Sequence, residues 1–409
     1  MDTVTPPESG GHTINWDDLV ALPPYSSSRS APIVGALDRA IADIDSAVGR
    51  NGDTARRFVP SAGALYPYDV LITDPEFCSA AVLDPVTRKL RVPENTPLPT
   101  DADHYGWMVI GRPWLSMRKY GRRGYLYHLL DIGHALVNLG MRSGRDPLSA
   151  RLRERAVGLS EQLGGVPRAI GTIAPSAAGT APGWVLDIAD PAAPRTRNEF
   201  EQTAVAIAPD QSPEPLDLAG MRFDETWPSV SPRRRSVPRF GAPGSVAEAE
   251  GCLDAAIALG RENLIRLNID APHLTVVGRA ELERYMPHDE LSVALAGQRH
   301  LCGPDALVVM SAEQPRQNSV DPVRQRMLLA AGIIGQSIYL ESTARRLGVT
   351  GIGGIDPRAW RPLLPPGHVA FYVVAVGADI APAAEAKLDA LTAEGHLRNR
   401  ELTGSGVRR

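Results

Sequence analysis

The fold is most clearly encoded in residues 124–144, GYLYHLLDIGHALVNLGMRSG. Apolar residues recur along this segment at steps of three and four, the spacing that places side chains on one face of a helix. These residues are Tyr125, Leu129, Ile132, Leu136 and Leu139. A second long apolar segment, RQRMLLAAGIIGQSIYLESTARRLGV at 324–349, predicts a second helix with Gly348 as its C-terminal cap. A helix that is apolar on most sides must be buried on most sides, so both are expected inside the protein.

Shorter segments surround each long helix in the same order. In the first half, the patterns predict a helix at 37–48, a strand at 69–73, a hairpin at 81–92, and strands at 107–111 and 183–190. In the second half, they predict a helix at 247–263 and strands at 274–278, 306–313 and 370–377. We therefore predict two copies of one α+β plan, packed as a tandem pseudo-dimer with the long helices as its spine.

The predicted domains span 1–195 and 233–409. Between them, residues 196–232 are rich in Pro, Ser and charged residues, which is typical of a linker. The first 25 residues are expected to be loosely ordered, and the last 25 helical or frayed.

Composition and charge exclude several classes of protein. The chain of 409 residues has room for two or three domains, and its formal net charge of −4 offers no general attraction to nucleic acid. No apolar run reaches the length of about 18 residues that a membrane-spanning helix needs. The N-terminal residues lack the features of a signal peptide. Because the three cysteines, Cys78, Cys252 and Cys302, are too few for a disulfide framework, we expect a cytoplasmic protein.

No metal site is predicted. The spacings of His104, His128 and His134 match no common zinc pattern, and the cysteines lie far apart. Because His134 lies on a buried helix face, it is interpreted as a core histidine.

The loop PSAGALYP, Pro60 to Pro67, is the first candidate for chemistry. Small residues at Ser61, Ala62 and Gly63 would let the backbone approach a flat ligand, and the two prolines would stiffen the loop. A tight loop before a strand is the alternative interpretation.

The basic segment RKYGRRGY, Arg118 to Tyr125, is the second candidate. Like charges around Lys119, together with partial burial, would favour its neutral form and make it a possible base. Tyr120 could donate or relay a proton. A solvated basic turn before the helix is the alternative.

Two further segments could bind a cofactor. The arginine forks and the hydroxyl of RRRSVPRF, 233–240, suit a phosphate, although a basic linker end would have the same composition. GVTGIGGID, 348–356, follows a helix, so it is not a dinucleotide-binding fingerprint. It could offer backbone N–H groups to a ring edge, or it could be a glycine-rich turn.

Taken together, these strings resemble the nitroreductase superfamily, and within it the SagB-type azoline dehydrogenases. In the first half the resemblance rests on PSAGALYP (60–67), LDPVTRKL (83–90) and RKYGRRGYLYHLLDIGHALVNL (118–139). In the second half it rests on RRSVPRF (234–240), AAGIIGQSIYLESTARRLGVTGIGG (330–354) and VVAVG (373–377). Pro238 departs from the family, which often has a basic or neutral residue there.

The resemblance implies an FMN cofactor and a role for each string. Arg234 and Ser236 would hold the FMN phosphate. The flavin ring would be lined by Pro60, Ser61, Ala62 and Gly63, and approached at its edge by Gly351, Gly353 and Gly354. Lys119 and Tyr120 would be catalytic. Because each half carries only some of these strings, we expect one intact FMN site built across both halves and one degenerate site.

The reaction implied by the resemblance is the oxidation of a peptide thiazoline or oxazoline to the aromatic azole. The substrate would be a modified precursor peptide, with oxygen as the expected final acceptor and a cyclodehydratase complex as a potential partner. One alternative is an FMN-dependent NAD(P)H reductase of nitro compounds or quinones, or another peptide dehydrogenase. The other is a non-catalytic scaffold that supports a cyclodehydratase.

Overall fold

The computed structural model describes residues 29–49, 57–85, 87–93, 103–163, 167–176, 184–189, 204, 214–241, 243–314 and 320–379. The predictions for the first and last 25 residues lie outside these ranges.

The first half of the chain forms most of a large sheet and four helices. Its strands are β1 (Arg29–Pro32), β2 (Tyr68–Thr73), β3 (Ala80–Asp84), β4 (Lys89–Pro93), β5 (Tyr105–Gly111), β6 (Pro167–Ile173) and β7 (Val185–Ala189). Its helices are α1 (Ala36–Val48), α2 (Pro113–Tyr120), α3 (Gly124–Gly140) and α4 (Ala150–Gln162). The sheet has the order β1-β7-β4-β3-β2-β5-β6-β8, where β8 is the short strand Leu216–Asp217.

The second half forms a smaller sheet around the second long helix. Its helices are α5 (Trp227–Val230), α6 (Val246–Arg266), α7 (Arg279–Tyr285), α8 (His288–Ala294) and α9 (Pro322–Ala344). Its strands are β9 (His273–Gly278), β10 (Ala306–Glu313), β11 (Gly348–Ile352) and β12 (His368–Gly377), in the order β11-β12-β10-β9.

The long helices α3 and α9 cross in the centre of the molecule, where two glycines face each other. A methyl group added to Gly133 would lie 2.2 Å from the carbonyl oxygen of Leu329. One added to Gly332 would lie 2.2 Å from the carbonyl oxygen of Leu130. The contact is reciprocal, as across a two-fold axis, and only glycine permits so close an approach of two backbones. One apolar core runs from the first half through this crossing into the second.

Both halves share the same central arrangement of strands. In the first half, β5 lies between β2 and β6 and is antiparallel to both. In the second half, β10 lies between β9 and β12 in the same way. The register also shifts at a comparable point, after Val109 in β5 and after Met310 in β10. The halves differ outside this centre, because the first half adds the β3–β4 hairpin, β7 and β1.

Within the described ranges, the helices and strands that the sequence pattern predicts are present, with differences at helix ends and at one loop. The first long helix ends at Gly140 rather than at 144, and the second at Ala344 rather than at 349. The prediction that Gly348 caps the second helix is wrong, because Gly348 begins β11. Arg346 adopts the left-handed conformation after α9 instead, with φ of 60°. The GVTGI stretch is thus a strand rather than a loop.

The described part of the predicted linker contacts both halves, since Arg222 exchanges hydrogen bonds with Asn263 of α6. Within residues 214–232, β8 pairs in parallel with β6, and Trp227 is fully buried. Because residues 205–213 lie outside the described ranges, the domain boundaries at 195 and 233 stay predictions. None of the helices in the described part of the chain is long and apolar enough to cross a membrane.

Candidate active site

A cavity of about 960 Å³ opens between the two halves, beside the crossing of α3 and α9. Both halves line it, and every residue predicted for the site is in its wall. These are Pro60, Ser61, Ala62, Gly63, Lys119, Tyr120, Arg234, Ser236, Gly351, Gly353 and Gly354. The fold therefore brings together four sequence segments that are far apart along the chain.

The loop that follows Pro60 has an unusual backbone. Gly63, Ala64 and Tyr66 adopt positive φ angles of 64°, 56° and 46°. Glycine accepts this region readily, but it costs other residues about 1–2 kcal/mol each. Strain of this kind persists only where the surroundings fix the backbone, and it clusters at functional sites.

Hydrogen bonds that the loop donates to Asp131 of α3 fix its shape. The Ser61 hydroxyl donates to Asp131 Oδ2 at 2.6 Å, and the Ala62 N–H lies 3.2 Å from both carboxylate oxygens. Ser61 Oγ in turn accepts the Tyr66 N–H at 2.8 Å. The Tyr66 hydroxyl accepts the N–H of Arg57 at 2.7 Å. The polar groups of the loop are thus bonded to the protein core as well as lining the cavity.

Asp131 is a site residue that the sequence patterns did not predict. Its side chain is buried, and burial raises its pKa to about 7, although the hydrogen bonds from Ser61 and Ala62 lower it. A signal was available in the sequence, because Asp131 is the one acidic residue in the apolar segment 124–144. A carboxylate on a helix buried on most sides needs hydrogen-bond donors.

Lys119 and Tyr120 lie at the C-terminal end of α2, next to the strained loop. A methyl group added to Gly63 would lie 2.5 Å from both Lys119 Nζ and the Tyr120 hydroxyl, so both polar atoms are close to the Gly63 backbone. The Tyr120 ring packs edge-on against Tyr127 at 4.9 Å between centroids. Contrary to the partial burial expected from the sequence, Lys119 is exposed. Of the neighbouring cations, Arg123 is directed to the second half, where it donates to the Ile355 carbonyl at 2.9 Å.

Arg234, Arg235 and Ser236 form a different part of the wall. Arg234 donates to the carbonyl oxygens of Phe58 and Arg57 at 3.0 and 3.3 Å, so this second-half residue braces the chain just before the strained loop. Arg235 pairs with Asp379. The Ser236 hydroxyl shares a hydrogen bond of 2.8 Å with the Tyr339 hydroxyl. The two guanidinium groups and the hydroxyl are the donors that suit a phosphate.

Of the three predicted glycines, Gly351 lies in β11, and Gly353 and Gly354 follow that strand. The Gly351 N–H donates to the Tyr339 hydroxyl at 2.7 Å, and a methyl group at Gly351 would lie 2.1 Å from the Tyr372 hydroxyl. A methyl group at Gly353 would lie 2.7 Å from the Tyr127 ring. Close packing of tyrosines therefore explains the need for Gly351 and Gly353. The carbonyl of Gly354 accepts the Gln298 amide at 2.8 Å.

His134 lies deeper in the wall. It is buried, as predicted for a core histidine, and its Nε2 shares a hydrogen bond of 2.9 Å with the Tyr372 hydroxyl. Burial and then the charge of Arg234 lower its pKa to about 3, so the ring is neutral near pH 7. The described residues contain no group of three His, Cys, Asp or Glu side chains that could hold a metal ion.

Comparison with solved structures identifies the fold. A candidate nitroreductase from Anabaena variabilis aligns with 90% of this chain and 95% of its own, with a TM-score of 0.56 and 16% sequence identity. This chain has the nitroreductase fold. At this level of identity the similarity shows the fold alone.

Two further matches cover only part of this chain. A nitroreductase with bound FMN from Bacteroides fragilis is 18% identical and aligns with 39% of this chain and 90% of its own, with a TM-score of 0.28. An NADPH:FMN oxidoreductase from Vibrio harveyi, complexed with NAD+, is 16% identical and aligns with 39% and 73%, with a TM-score of 0.29. No protein-family model matches the sequence, and neither does any curated protein.

Proposed function

We propose that this chain is an FMN-dependent oxidoreductase that converts thiazolines or oxazolines in a modified precursor peptide to thiazoles or oxazoles. The observation that carries the proposal is the convergence of the predicted site residues on one cavity. The nitroreductase fold, the Lys119–Tyr120 pair and the loop at Pro60–Gly63 support it together.

The cavity has the size and the donors that FMN requires. Its volume of about 960 Å³ lies near the upper end of the range of small-molecule sites, about 300–1,000 Å³, which leaves room for a substrate group beside a flavin. Arg234, Arg235 and Ser236 would hold the phosphate. The loop at Pro60–Gly63 would line the ring, and the backbone at Gly351–Gly354 would lie along its edge. Bound FMN would supply the hydride acceptor.

The protein's own part in the reaction is to position the azoline and remove its proton. Aromatisation takes a hydride from one ring carbon and a proton from the neighbouring position. Lys119 Nζ and the Tyr120 oxygen lie against the loop at Pro60–Gly63, so either group can receive that proton when it is in its deprotonated form. The exposure of Lys119 leaves it accessible to a peptide entering from solvent.

We further infer an intrachain pseudo-dimer with one intact FMN site. The reciprocal contact of Gly133 and Gly332 relates positions 199 residues apart, so that Tyr339 corresponds to Gly140. A methyl group at Gly140 would lie 2.8 Å from the Phe223 ring and 3.1 Å from Met221 Sδ. The segment between the halves therefore fills the space that a second site would need.

The counterparts of two other wall residues are also apolar. By the same relation, Asp131 corresponds to Ala330 and His134 to Ile333. A second site would lack both the carboxylate behind the loop and the neutral imidazole.

The visible absorption spectrum of the purified protein, with released flavin counted per chain, tests cofactor and stoichiometry together. We expect about one FMN per chain. Two FMN per chain would disprove the single site. Failure to bind FMN even in excess would disprove the oxidoreductase and favour the scaffold.

The reaction itself is tested by bleaching of the bound flavin without oxygen. We expect a peptide azoline to reduce the flavin and NAD(P)H to do so poorly; the opposite result would assign the chain as an NAD(P)H reductase. Lys119→Ala and Tyr120→Phe should retain FMN, and the variant that lacks the base should lose about 100-fold in kcat. Arg122→Ala, which removes an exposed cation on the same turn, is the matched control.

A cyclodehydratase partner and a cytoplasmic location stay predictions.

A further inference from the structure

The loop of residues 60–66 (the ring-side loop) would not keep its shape without outside support. Gly63, Ala64 and Tyr66 all have left-handed backbones, and two of the three carry a Cβ atom that disfavours this region. A short 3₁₀ turn at Ala62–Ala64 supplies one backbone bond, from the Ala64 N–H to the Ser61 carbonyl at 3.1 Å. One such bond does not offset the strain, so contacts from elsewhere must hold the loop.

Those contacts start at one side chain. Asp131 accepts the Ser61 hydroxyl and the Ala62 N–H before the left-handed residues. Through Ser61 Oγ, it also fixes the Tyr66 N–H after them. The carboxylate is only 4% exposed, and α3 around it is held by the crossing with α9. Both ends of the strained stretch are therefore tied to α3, close to its crossing with α9.

We propose that Asp131 is the positioning residue of this site, whose buried carboxylate holds the ring-side loop in the shape that places Gly63 against Lys119 and Tyr120. The hold on the loop is independent of any ligand. Its consequence for flavin binding rests on the function proposed above. Asp131 would act on the ring end of FMN, because it bonds to Ser61 and Ala62 of the loop, whereas the phosphate donor Ser236 bonds to Tyr339.

Hydrogen exchange of the ligand-free protein tests the hold on the loop. In Asp131→Asn an amide NH2 group replaces one carboxylate oxygen and can no longer accept a hydrogen bond. Protection of the Ala62 and Tyr66 backbone amides from hydrogen exchange should therefore fall about tenfold or more. Asp217→Asn is the matched control, because Asp217 also accepts backbone N–H groups, from Leu148 and Ala219, but does not line the cavity. This substitution should lower the exchange protection of the Leu148 and Ala219 amides and leave that of the loop unchanged. Unchanged protection of the loop in Asp131→Asn would overturn the proposal.

A second variant keeps the test decisive if Asp131→Asn does not fold. Ser61→Ala leaves the carboxylate in place and removes the link to Tyr66. Protection should then fall at Tyr66 more than at Ala62, which keeps its bond to Asp131. Equal protection at Tyr66 in Ser61→Ala and in the wild type would overturn the proposed relay.

Comparison of FMN with riboflavin, which lacks the phosphate, tests the consequence for the site. Asp131→Asn should weaken both ligands by the same factor, about tenfold, and shift the visible bands of the bound flavin. Asp131→Ala, which keeps no acceptor, should weaken them further. If Asp131→Asn loses the protection of the loop but binds both flavins as tightly as the wild type, Asp131 does not contribute to flavin binding. If the wild type binds neither flavin, the proposed function fails while the exchange experiment still decides the role of Asp131.

Discussion

Asp131 is nearly fully buried, yet its hydrogen bonds come from a hydroxyl and a backbone N–H, neither of which is charged. Burial disfavours the carboxylate, and neutral donors offset this only in part, so the pKa rises from 3.8 to about 7. The tyrosines that face it, Tyr66, Tyr68, Tyr127 and Tyr372, all have raised pKa values and stay neutral. The pKa of His134, one turn along α3, is lowered to about 3. Asp131 is therefore the group in this set that titrates near pH 7.

This titration predicts a pH-dependent difference in stability between the wild type and Asp131→Asn. Because the folded pKa lies above the unfolded value, the folded state binds the proton more tightly. The contribution of Asp131 to stability is complete below about pH 4 and is lost as the pH rises through about 7. Relative to Asp131→Asn, the wild type should lose up to about 4 kcal/mol of unfolding free energy across this window.

Urea unfolding of both proteins at several pH values between 4 and 8 measures this difference, and groups that titrate alike in both proteins cancel. A difference that does not change with pH would show that Asp131 ionises normally in the folded protein.

The site residues that could be predicted from the sequence are those whose residue type is itself distinctive. Gly63, Lys119 and Arg234 belong to short strings with distinctive composition, and all three line the cavity. Tyr339 and Tyr372, which also line the cavity, were not predicted. Tyr339 is one apolar-face residue among many on α9, and its hydrogen bonds to Ser236 and Gly351 depend on how β11 packs. Local sequence carries no information on that packing.

At the scale of elements, the end of α9 shows where local patterns stop being informative. The segment ARRLGV, 344–349, continues the helical spacing, and glycine is the usual residue at a helix end. The helix instead ends at Ala344, four residues before that glycine. The Leu347 N–H bonds to the Ser342 carbonyl at 2.8 Å, and the Arg346 N–H bonds to the Thr343 carbonyl at 3.2 Å. These are the two bonds of a Schellman motif, with arginine in the left-handed position.

The early exit follows from strand pairing. Val349 pairs with Val376 and Gly351 with Val374, across the connection formed by residues 353–367. The energy of β11 in the sheet outweighs the local preference for helix, and a window of one helix length cannot detect it.

Replacing Arg346 with glycine should therefore stabilise the protein by about 1 kcal/mol, because glycine accepts φ of 60° without the penalty of a Cβ atom. Arg345→Gly is the matched control. Arg345 has a φ of −83° and pairs with Glu341, so glycine there should destabilise. Thermal unfolding of the two variants measures both effects. If Arg346→Gly is no more stable than the wild type, the left-handed cap contributes no strain.

For the whole molecule, the sequence predicts two similar halves that carry different motifs, but not how the segment between the halves packs. Each half places a helix, two antiparallel strands, a long helix and a third strand in the same spatial order. The segment 214–232 breaks this symmetry, because β8 joins the first sheet and Phe223 packs against Gly140. Such asymmetry arises from contacts between distant segments, which periodicity does not record.

The glycine crossing makes the stability of the protein and the geometry of its cavity depend on the same contact. A methyl group at Gly332 would lie 2.2 Å from the Leu130 oxygen and 2.8 Å from the Gly133 Cα, both backbone atoms. Backbone atoms cannot rotate away, so Gly332→Ala must move α3 and α9 apart. We expect a loss of about 1–3 kcal/mol or more in a single unfolding transition, with weaker FMN binding at temperatures where the protein stays folded.

Gly251→Ala on α6 controls for the effect of adding a methyl group to a helix. Its methyl group would lie 3.8 Å from the nearest atom outside the helix, Arg345 Nη1, so helix propensity should stabilise that variant by about 1 kcal/mol. Differential scanning calorimetry of both variants, with and without FMN, measures the number of unfolding transitions and their temperatures. Two unfolding transitions in Gly332→Ala, with only one lowered, would mean that the halves fold independently. A single lowered transition means that the crossing holds the two walls of the cavity at their working distance, since Asp131 lies within one turn of it on α3 and Tyr339 within two turns on α9.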